Sequence, residues 1–404
     1  MDKDDLAKGA TPSLTANPEF TRRLFTFGCA GAGGALLAQP VSAQTARTDT
    51  NGRAAGAVGG ATSEFVVDIH AHYVPNLVYS RFEQRRSQFP GVKMMVEGGD
   101  KPTYRFQFPG TMPTRPVIPG LSELVERKKI MDAQGINHSC LSLWTDMEGY
   151  ELEPQEGAAW SRFINECLME ELASETRFSA LAKVPLQDGA LAAQVLKEAM
   201  AGGFAGAMIG TLPKGAGGGN LDDPSLDPFW EAASQLQAAI YVHPMFAGND
   251  PRLADFDLIN TVGRLVDSSV ALGRLLSSGH MLKYPGMSLV TSHGGGLLPY
   301  SVGRFRRTYE ATGRRFADPV AGFERLYFDT AVYDVAALEF LVARAGADKV
   351  MLGTDTPMSI AELDPVGMVK AARLEPDART AIFSGNAKRV FRLRADCGCE
   401  PQRR

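Results

Sequence analysis

Eight short apolar runs recur along the chain, and their rhythm restricts the fold more than any single residue does. EFVVDIHAH (64–72), INHSCLSLW (136–144), FSALAKVPL (178–186), FAGAMIG (204–210), AAIYVHP (238–244), MSLVTSH (287–293), RLYFDT (325–330) and KVMLGTD (349–355) are separated by segments with helical features. In LSELVERKKIMDAQG (121–135), for example, Leu121, Leu124, Val125 and Met131 fall at helical spacing and Gly135 supplies a stop. The apolar runs are nearly continuous rather than alternating, as strands buried on both faces are. Strands that alternate with helices imply a parallel sheet. Eight such units in about 330 residues predict an α/β fold, a (β/α)8 TIM barrel with a small inserted segment after strand 1, at about 80–118. A doubly wound open sheet is the alternative. It calls for a glycine-rich phosphate turn after the first strand, and DIHAHYVP is not one.

The polar residues that interrupt these runs sit at their ends. His70 and His72 end the first run, His243 the fifth, His293 the sixth and Asp355 the eighth. In a barrel of this kind, active sites lie at the C-terminal ends of the strands, so these five residues converge on one rim. Residues i and i+2 of a strand share a face, which aims both imidazoles of the HxH pair at the barrel mouth. Neutral imidazole is a common ligand of divalent transition metals. His70, His72, His243 and Asp355 therefore form a candidate metal site with a position left for water, and His293 is placed to hold or deprotonate that water. The remaining two of the six histidines, His138 and His280, fall elsewhere and read as structural or solvated. Tyr73, Trp144, Met245 and Phe246 adjoin strand ends and are candidate pocket walls.

Outside the barrel, TRRLFTFGCAGAGGALLAQPVSA (21–43) places Arg22 and Arg23 before a modest apolar stretch and a small-residue site ending at Ala43. That order predicts a twin-arginine signal over 1–43 and hence a periplasmic or exported protein. Residues 44–63 lack apolar periodicity and read as a flexible linker. The barrel spans 64–393, and 394–404 is a C-terminal tail. A net charge of −4 provides no basic field for nucleic acid, and no apolar segment is long enough to span a membrane. Five cysteines, two of them Cys397 and Cys399 in the tail, do not make a disulfide framework.

DIHAHYVP, VHP (242–244), SHGGGLLPYSVGR (292–304), FDTAVYDVAALEFLV (328–342), LGTDTPM (352–358) and SGNAKRVF (384–391) resemble the amidohydrolase superfamily. Within it they look most like the branch containing aminocarboxymuconate-semialdehyde decarboxylase. The resemblance implies that His70, His72, His243 and Asp355 are metal ligands and that His293 is the acid/base, with Asp355 sharing the proton handling. It implies that Arg115 binds a substrate carboxylate, and that Arg304 reaches into a neighbouring subunit's site in a homodimer. The reaction expected is nonoxidative decarboxylation of an unsaturated or aromatic carboxylic acid, by metal-activated water or metal-chelated substrate. Hydrolysis of a lactone, ester or amide, or hydration of an unsaturated acid, uses the same ligands. FAGAMIG carries no lysine or acid to bridge two metals, so one divalent metal is expected. HxH rather than ExH in the first strand resembles the zinc members of the branch more than the manganese ones. Thr111 stands where a lysine is expected in the branch, which leaves the substrate open.

Overall fold

The computed structural model describes residues 64–99, 102–245 and 250–393. The expected signal, linker, tail with its Cys397–Cys399 pair, and Phe246 lie outside the described residues. Among the described residues are ten strands: β1 (Val67–Tyr73), β2 (Lys93–Glu97), β3 (Thr103–Gln107), β4 (His138–Leu143), β5 (Phe178–Lys183), β6 (Gly206–Gly210), β7 (Ala239–His243), β8 (Ser288–Thr291), β9 (Tyr327–Asp329) and β10 (Val350–Met351). Eight of them form one sheet in the order β1-β4-β5-β6-β7-β8-β9-β10, every pair parallel. Backbone bonds from Ile69 N to Leu352 O (3.0 Å), Asp355 N to His70 O (2.9 Å) and His72 N to Thr356 O (2.9 Å) join the last strand to the first. The eight expected strands are all found, and the fold is a (β/α)8 barrel.

The sheet separates two apolar layers. Ala239 and Tyr241 point inward with Leu181, Met208, Val290 and Met351. Ile240 and Val242 point outward onto the helices with Leu289 and Phe328. This is the strand alternation of period two, hidden in the sequence because both faces are apolar.

In β1 the alternation is interrupted. The register with β4 shifts between Asp68 and Ala71. Val67 and Ile69 belong to the inner layer, whereas Ala71 and Tyr73 belong to the outer one. A bulge thus flips the parity, and His70 and His72 face inward directly above Ile69. Bulges beside active sites commonly re-aim side chains in this way.

The inserted segment after β1 is ordered. The helix Asn76–Arg85 leads into it, and it holds an antiparallel hairpin, β2 with β3. Phe82, Phe89, Phe106 and Phe108 pack with Trp160 and Phe163 of the helix Pro154–Glu171 into a small core of their own, and Tyr79 stacks on Tyr104 at 3.9 Å. Aromatic burial of this density supplies the stability that turn-rich sequence does not.

Two further expectations are corrected. Val125 is exposed on the helix Leu124–Gln134, and Arg127 is buried instead. Its guanidinium donates to the carbonyls of His72 and Thr356, which makes a charged side chain part of the closure between β1 and β10. The two histidines read as structural or solvated are both buried, so neither is solvated: His280 begins a short helical turn, and His138 meets Ser179 Oγ at 2.9 Å.

Candidate active site

His70, His72 and His243 are set by β1 and β7, and Asp355 by the loop after β10. Their potential donor atoms all lie within 4.8 Å of one another, and all four residues are buried. Asp355 sits four residues past the last paired position of β10, with φ at +63°. His293 lies two residues beyond β8, with φ at +52°. Non-glycine residues rarely hold this left-handed conformation, and where they do the strain clusters at functional sites.

Two of the imidazoles, His70 and His243, are fixed in orientation from behind. His70 Nδ1 donates to Asp329 Oδ2 at 2.7 Å. The same carboxylate accepts from Tyr241 Oη at 2.8 Å, and its other oxygen accepts the backbone N–H of Gly294 at 2.9 Å. His243 Nδ1 bonds the Pro244 carbonyl at 2.8 Å. With Nδ1 so committed, the Nε2 atoms of His70 and His243 are buried without a hydrogen-bond partner. His70 Nε2 approaches Asp355 Oδ1 at 3.2 Å but does not meet hydrogen-bond geometry, and His72 Nε2 lies 3.1 Å from the same oxygen. Two inward-facing nitrogens without partners, a third imidazole and a carboxylate oxygen are the donor set of a divalent transition metal. The residues fit such an ion.

Asp355 divides its two oxygens between two tasks. Oδ1 faces His70 and His72, while Oδ2 faces His293 Nε2 at 3.5 Å and Tyr333 Oη at 3.4 Å. Burial alone would push its carboxyl up, but the charge of His70 and the close approach of His293, His70 and His72 outweigh it and hold Asp355 well below the usual carboxylate range. Burial opposes the charged form of His70 as well; Asp355 and Asp329 outweigh it and raise the imidazole to about 10. Burial lowers His72, and it lowers His243 well below the ordinary value with help from the neighbouring His72 and His70. Protons and a metal compete for the same nitrogens.

Below the ring, Asp68 ties β1 to the loop after β10. Its oxygens accept from His70 N at 2.9 Å, Thr354 N at 3.1 Å and Thr354 Oγ1 at 2.9 Å. Burial pushes its carboxyl up to about 6 against these bonds.

The cleft above the ring is lined by His72, His243 and Asp355 on the floor, and by Arg115, Thr145, Asn260 and Arg264 on its walls, with Met358, Ser359 and Ile360 completing it. Arg115 is half exposed, stacks 5.2 Å from the centre of the Trp144 ring and is bidentate to Asp146, both bonds at 3.1 Å. Arg304 is exposed on the helix Leu298–Ala311 and does not line this chain's cleft. Tyr73 is not a wall either, because it points outward and its hydroxyl donates to Ser122 O and Glu171 Oε1.

Several residues of the site were missed in the sequence, among them Tyr333 on Asp355 Oδ2, Asp329, Asn260 and Arg264. Asp329 is inside the quoted FDT, but nothing in the string separates it from an ordinary strand-end aspartate. Asn260 and Arg264 lie on a helical segment that no strand run precedes directly. Arg264 is buried, donating from Nε to Asn260 Oδ1 at 2.9 Å and from Nη1 to the Pro244 carbonyl at 3.2 Å.

Known proteins share this frame. A 2-amino-3-carboxymuconate-6-semialdehyde decarboxylase of Dictyostelium discoideum is 28% identical over 265 residues, covering 64% of this chain and 73% of that protein. A gamma-resorcylate decarboxylase of Rhizobium radiobacter is 30% identical over 287 residues, covering 66% and 86%. The crystal structure of a dihydroxybenzoic acid decarboxylase from Polaromonas sp. JS666, with bound manganese and the inhibitor 2-nitroresorcinol, superposes with a TM-score of 0.65 at 24% identity, covering 83% of this chain and 99% of that one. The model of the Amidohydrolase family matches residues 67–393, and the chain belongs to that family, in the branch related to aminocarboxymuconate-semialdehyde decarboxylase.

Proposed function

We propose that the protein is a metal-dependent nonoxidative carboxy-lyase acting on a small unsaturated or aromatic carboxylic acid. The observation that carries this reading is the divided carboxylate of Asp355, one oxygen on the imidazole ring and the other on His293 and Tyr333. His70, His72, His243 and Asp355 are the residues that would hold the metal. A divalent metal there supplies Lewis acidity, drawing electron density from bound oxygen and lowering the pKa of water to about 7.

The chain's own residues do the rest. Arg115 presents a planar fork suited to a carboxylate. As the bond to the departing carboxylate breaks, its electron pair stays on carbon and takes up a proton, and carbon dioxide leaves. His293 and Asp355 Oδ2 face each other at 3.5 Å and are the pair that delivers this proton, which stays in the product's C–H bond; a proton from solvent recharges the pair before the next turnover. Burial of both keeps bulk water from competing for the carbanion-like carbon.

The reading extends to one zinc per chain, supported by three imidazoles and a single carboxylate; manganese, bound in the Polaromonas enzyme, is the competitor. It extends to a homodimer. Val262, Val266 and Val270 are exposed four residues apart, near exposed Leu297 and Tyr300, and Arg304 follows one turn later. Leu297 N bonds Ser269 Oγ at 2.8 Å, so the two helices are neighbours and their exposed residues suit a partner subunit that receives Arg304. Export by a twin-arginine route is part of the same proposal, supported by Arg22, Arg23 and the small residues before Ala43.

The test combines elemental analysis with assays of carbon dioxide release across unsaturated and aromatic acids. About one zinc per chain, lost in His70→Ala, together with release from at least one acid, supports the reading. Cleavage of a lactone, ester or amide without carbon dioxide release from any acid replaces it with a hydrolase.

A further inference from the structure

One peptide group lies behind His243, and both of its ends are held. The peptide between Pro244 and Met245 turns its carbonyl to His243 Nδ1 at 2.8 Å. The same oxygen accepts from Arg264 Nη1 at 3.2 Å. The other end, the N–H of Met245, donates to Asp267 Oδ2 at 2.9 Å, with Thr211 Oγ1 as a second acceptor at 3.1 Å. Arg264 and Asp267 stand three residues apart on the helix Arg264–Ser277, a spacing that places them on one face.

Asp267 is 8% exposed, and Thr211, which donates to the same carboxylate oxygen at 2.5 Å, is 2% exposed. Burial raises the Asp267 carboxyl, and the bonds from Thr211 and Met245 oppose that. A buried carboxylate is destabilising unless its acceptor sites are used. Thr211 follows β6 and Met245 follows β7, so one carboxylate gathers the ends of two neighbouring barrel strands onto the helix.

The direction of this peptide decides which nitrogen of His243 carries the proton. A carbonyl facing Nδ1 requires Nδ1–H and leaves a lone pair on Nε2, the atom that is buried without a partner. A flipped peptide would present the Met245 N–H to the ring instead. Nδ1 would then accept, the proton would sit on Nε2, and that nitrogen could not bind a metal. Pro244 does not prevent the flip, because its ring fixes φ and leaves ψ free. The lock therefore comes from the helix. Arg264 also lines the cleft, whereas Asp267 touches only the strand ends.

We propose that Asp267 is a positioning residue for His243: by accepting the Met245 N–H it locks the peptide behind the imidazole and fixes the tautomer that leaves Nε2 to a metal. This rests on the metal-site reading for the identity of the bound group, but the tautomer can be read without metal.

The first measurement is the zinc affinity of the full chain, by competition with a chelator. Asp267→Ala should weaken zinc about 10–100-fold, the range for groups that orient a ligand from behind. In a His243→Ala background the same substitution should cost nothing further, since it acts through that imidazole. Asp267→Asn keeps an oxygen for the Met245 N–H and should retain most of the affinity. Thr211→Val removes the hydroxyl that aims the carboxylate and should lose affinity by a smaller factor, again only when His243 is present; it replaces Asp267→Ala should that chain not fold. The second measurement is nitrogen NMR of the metal-free chain labelled at its six histidines, with His243 assigned from the His243→Ala spectrum. His243 should be protonated at Nδ1 in the wild type and partly at Nε2 in Asp267→Ala. Zinc affinity that Asp267→Ala leaves unchanged, or lowers by the same factor with and without His243, overturns the proposal. So does a His243 tautomer that is the same in wild type and variant. A wild type that binds no zinc discards the metal site and the carboxy-lyase reading, and the tautomer spectra then decide the role of Asp267 by themselves.

Discussion

The floor of the cleft and its walls are held by different means. The floor residues stand on or just beyond barrel strands and are buried, and buried partners hold several of them: Asp329 for His70, the Pro244 carbonyl for His243, Asp68 for the β1 and Thr354 backbones. The walls are segments outside the barrel sheet. Arg115 follows a hairpin with its own aromatic core, and Asn260 lies within a π turn that Arg264 follows. A rigid floor with independently built walls is how one barrel serves many substrates. Changes to the floor should therefore affect every substrate alike, and changes to the walls should sort substrates.

The largest effect is expected on the floor. His243→Ala removes one donor of the set, and activity toward every acid should fall by at least about 10^4-fold, since little of the catalysis survives without the metal. Metal analysis and kcat/KM on several acids check this together. An acid whose turnover survives loss of metal would break the division outright.

Asp329→Asn is gentler. It keeps the shape behind His70 but loses the carboxylate that fixes the Nδ1 tautomer, and substitutions of this kind cost about 10–100-fold in metal affinity or activity. Competition with a chelator measures the affinity, and the loss should be the same factor for all substrates. Arg115→Lys, on the wall, should behave otherwise. It gives up the fork on Asp146 and much of the stacking on Trp144, and KM should rise about tenfold for acids that use the fork. kcat should move less. A matching fall in kcat for all acids would place Arg115 with the floor.

This division also sets what the sequence revealed. His70, His72, His243, His293 and Asp355 could be found because each interrupts or ends an apolar run, and the barrel turns such interruptions into a ring. The β1 bulge was invisible, since Ile69 and Ala71 are both apolar and either parity fits the string. Arg127 was read past in favour of Val125 because apolar spacing says nothing about a cation that bonds two carbonyls. Arg264 and Asn260 could not be separated from solvated helix residues: their direction depends on a π turn, and nothing in LINTVGRL announces one.

The smallest effect concerns the seam between floor and wall. The turn Thr145–Met147 carries Thr145 into the cleft and Asp146 to Arg115, and Glu148 at its end is buried 3.7 Å from the buried Lys183 of β5. Burial raises Glu148 from 4.5 to about 7, against the pull of Lys183, and lowers Lys183 from 10.5 to about 8, against the pull of Glu148. Between pH 4.5 and 7 the folded chain therefore binds more protons at Glu148 than the unfolded chain does, so this contribution to stability is full below 4.5 and is lost as pH rises through 7. Lys183 has the opposite sign: the unfolded chain binds more protons from 8 to 10.5, and stability recovers across that window. Glu148→Gln should abolish the first loss, leaving a residual slope up to about pH 6 from Asp68. Melting temperatures of the metal-loaded variant and wild type, compared at each pH, should therefore diverge between pH 6 and 7, with the variant holding its value while the wild type declines. The Gln variant should also show the larger recovery from pH 8 upward, because Lys183 has lost its anion. Parallel melting curves across pH 6 to 7 would mean that the turn is not anchored to the barrel through Glu148.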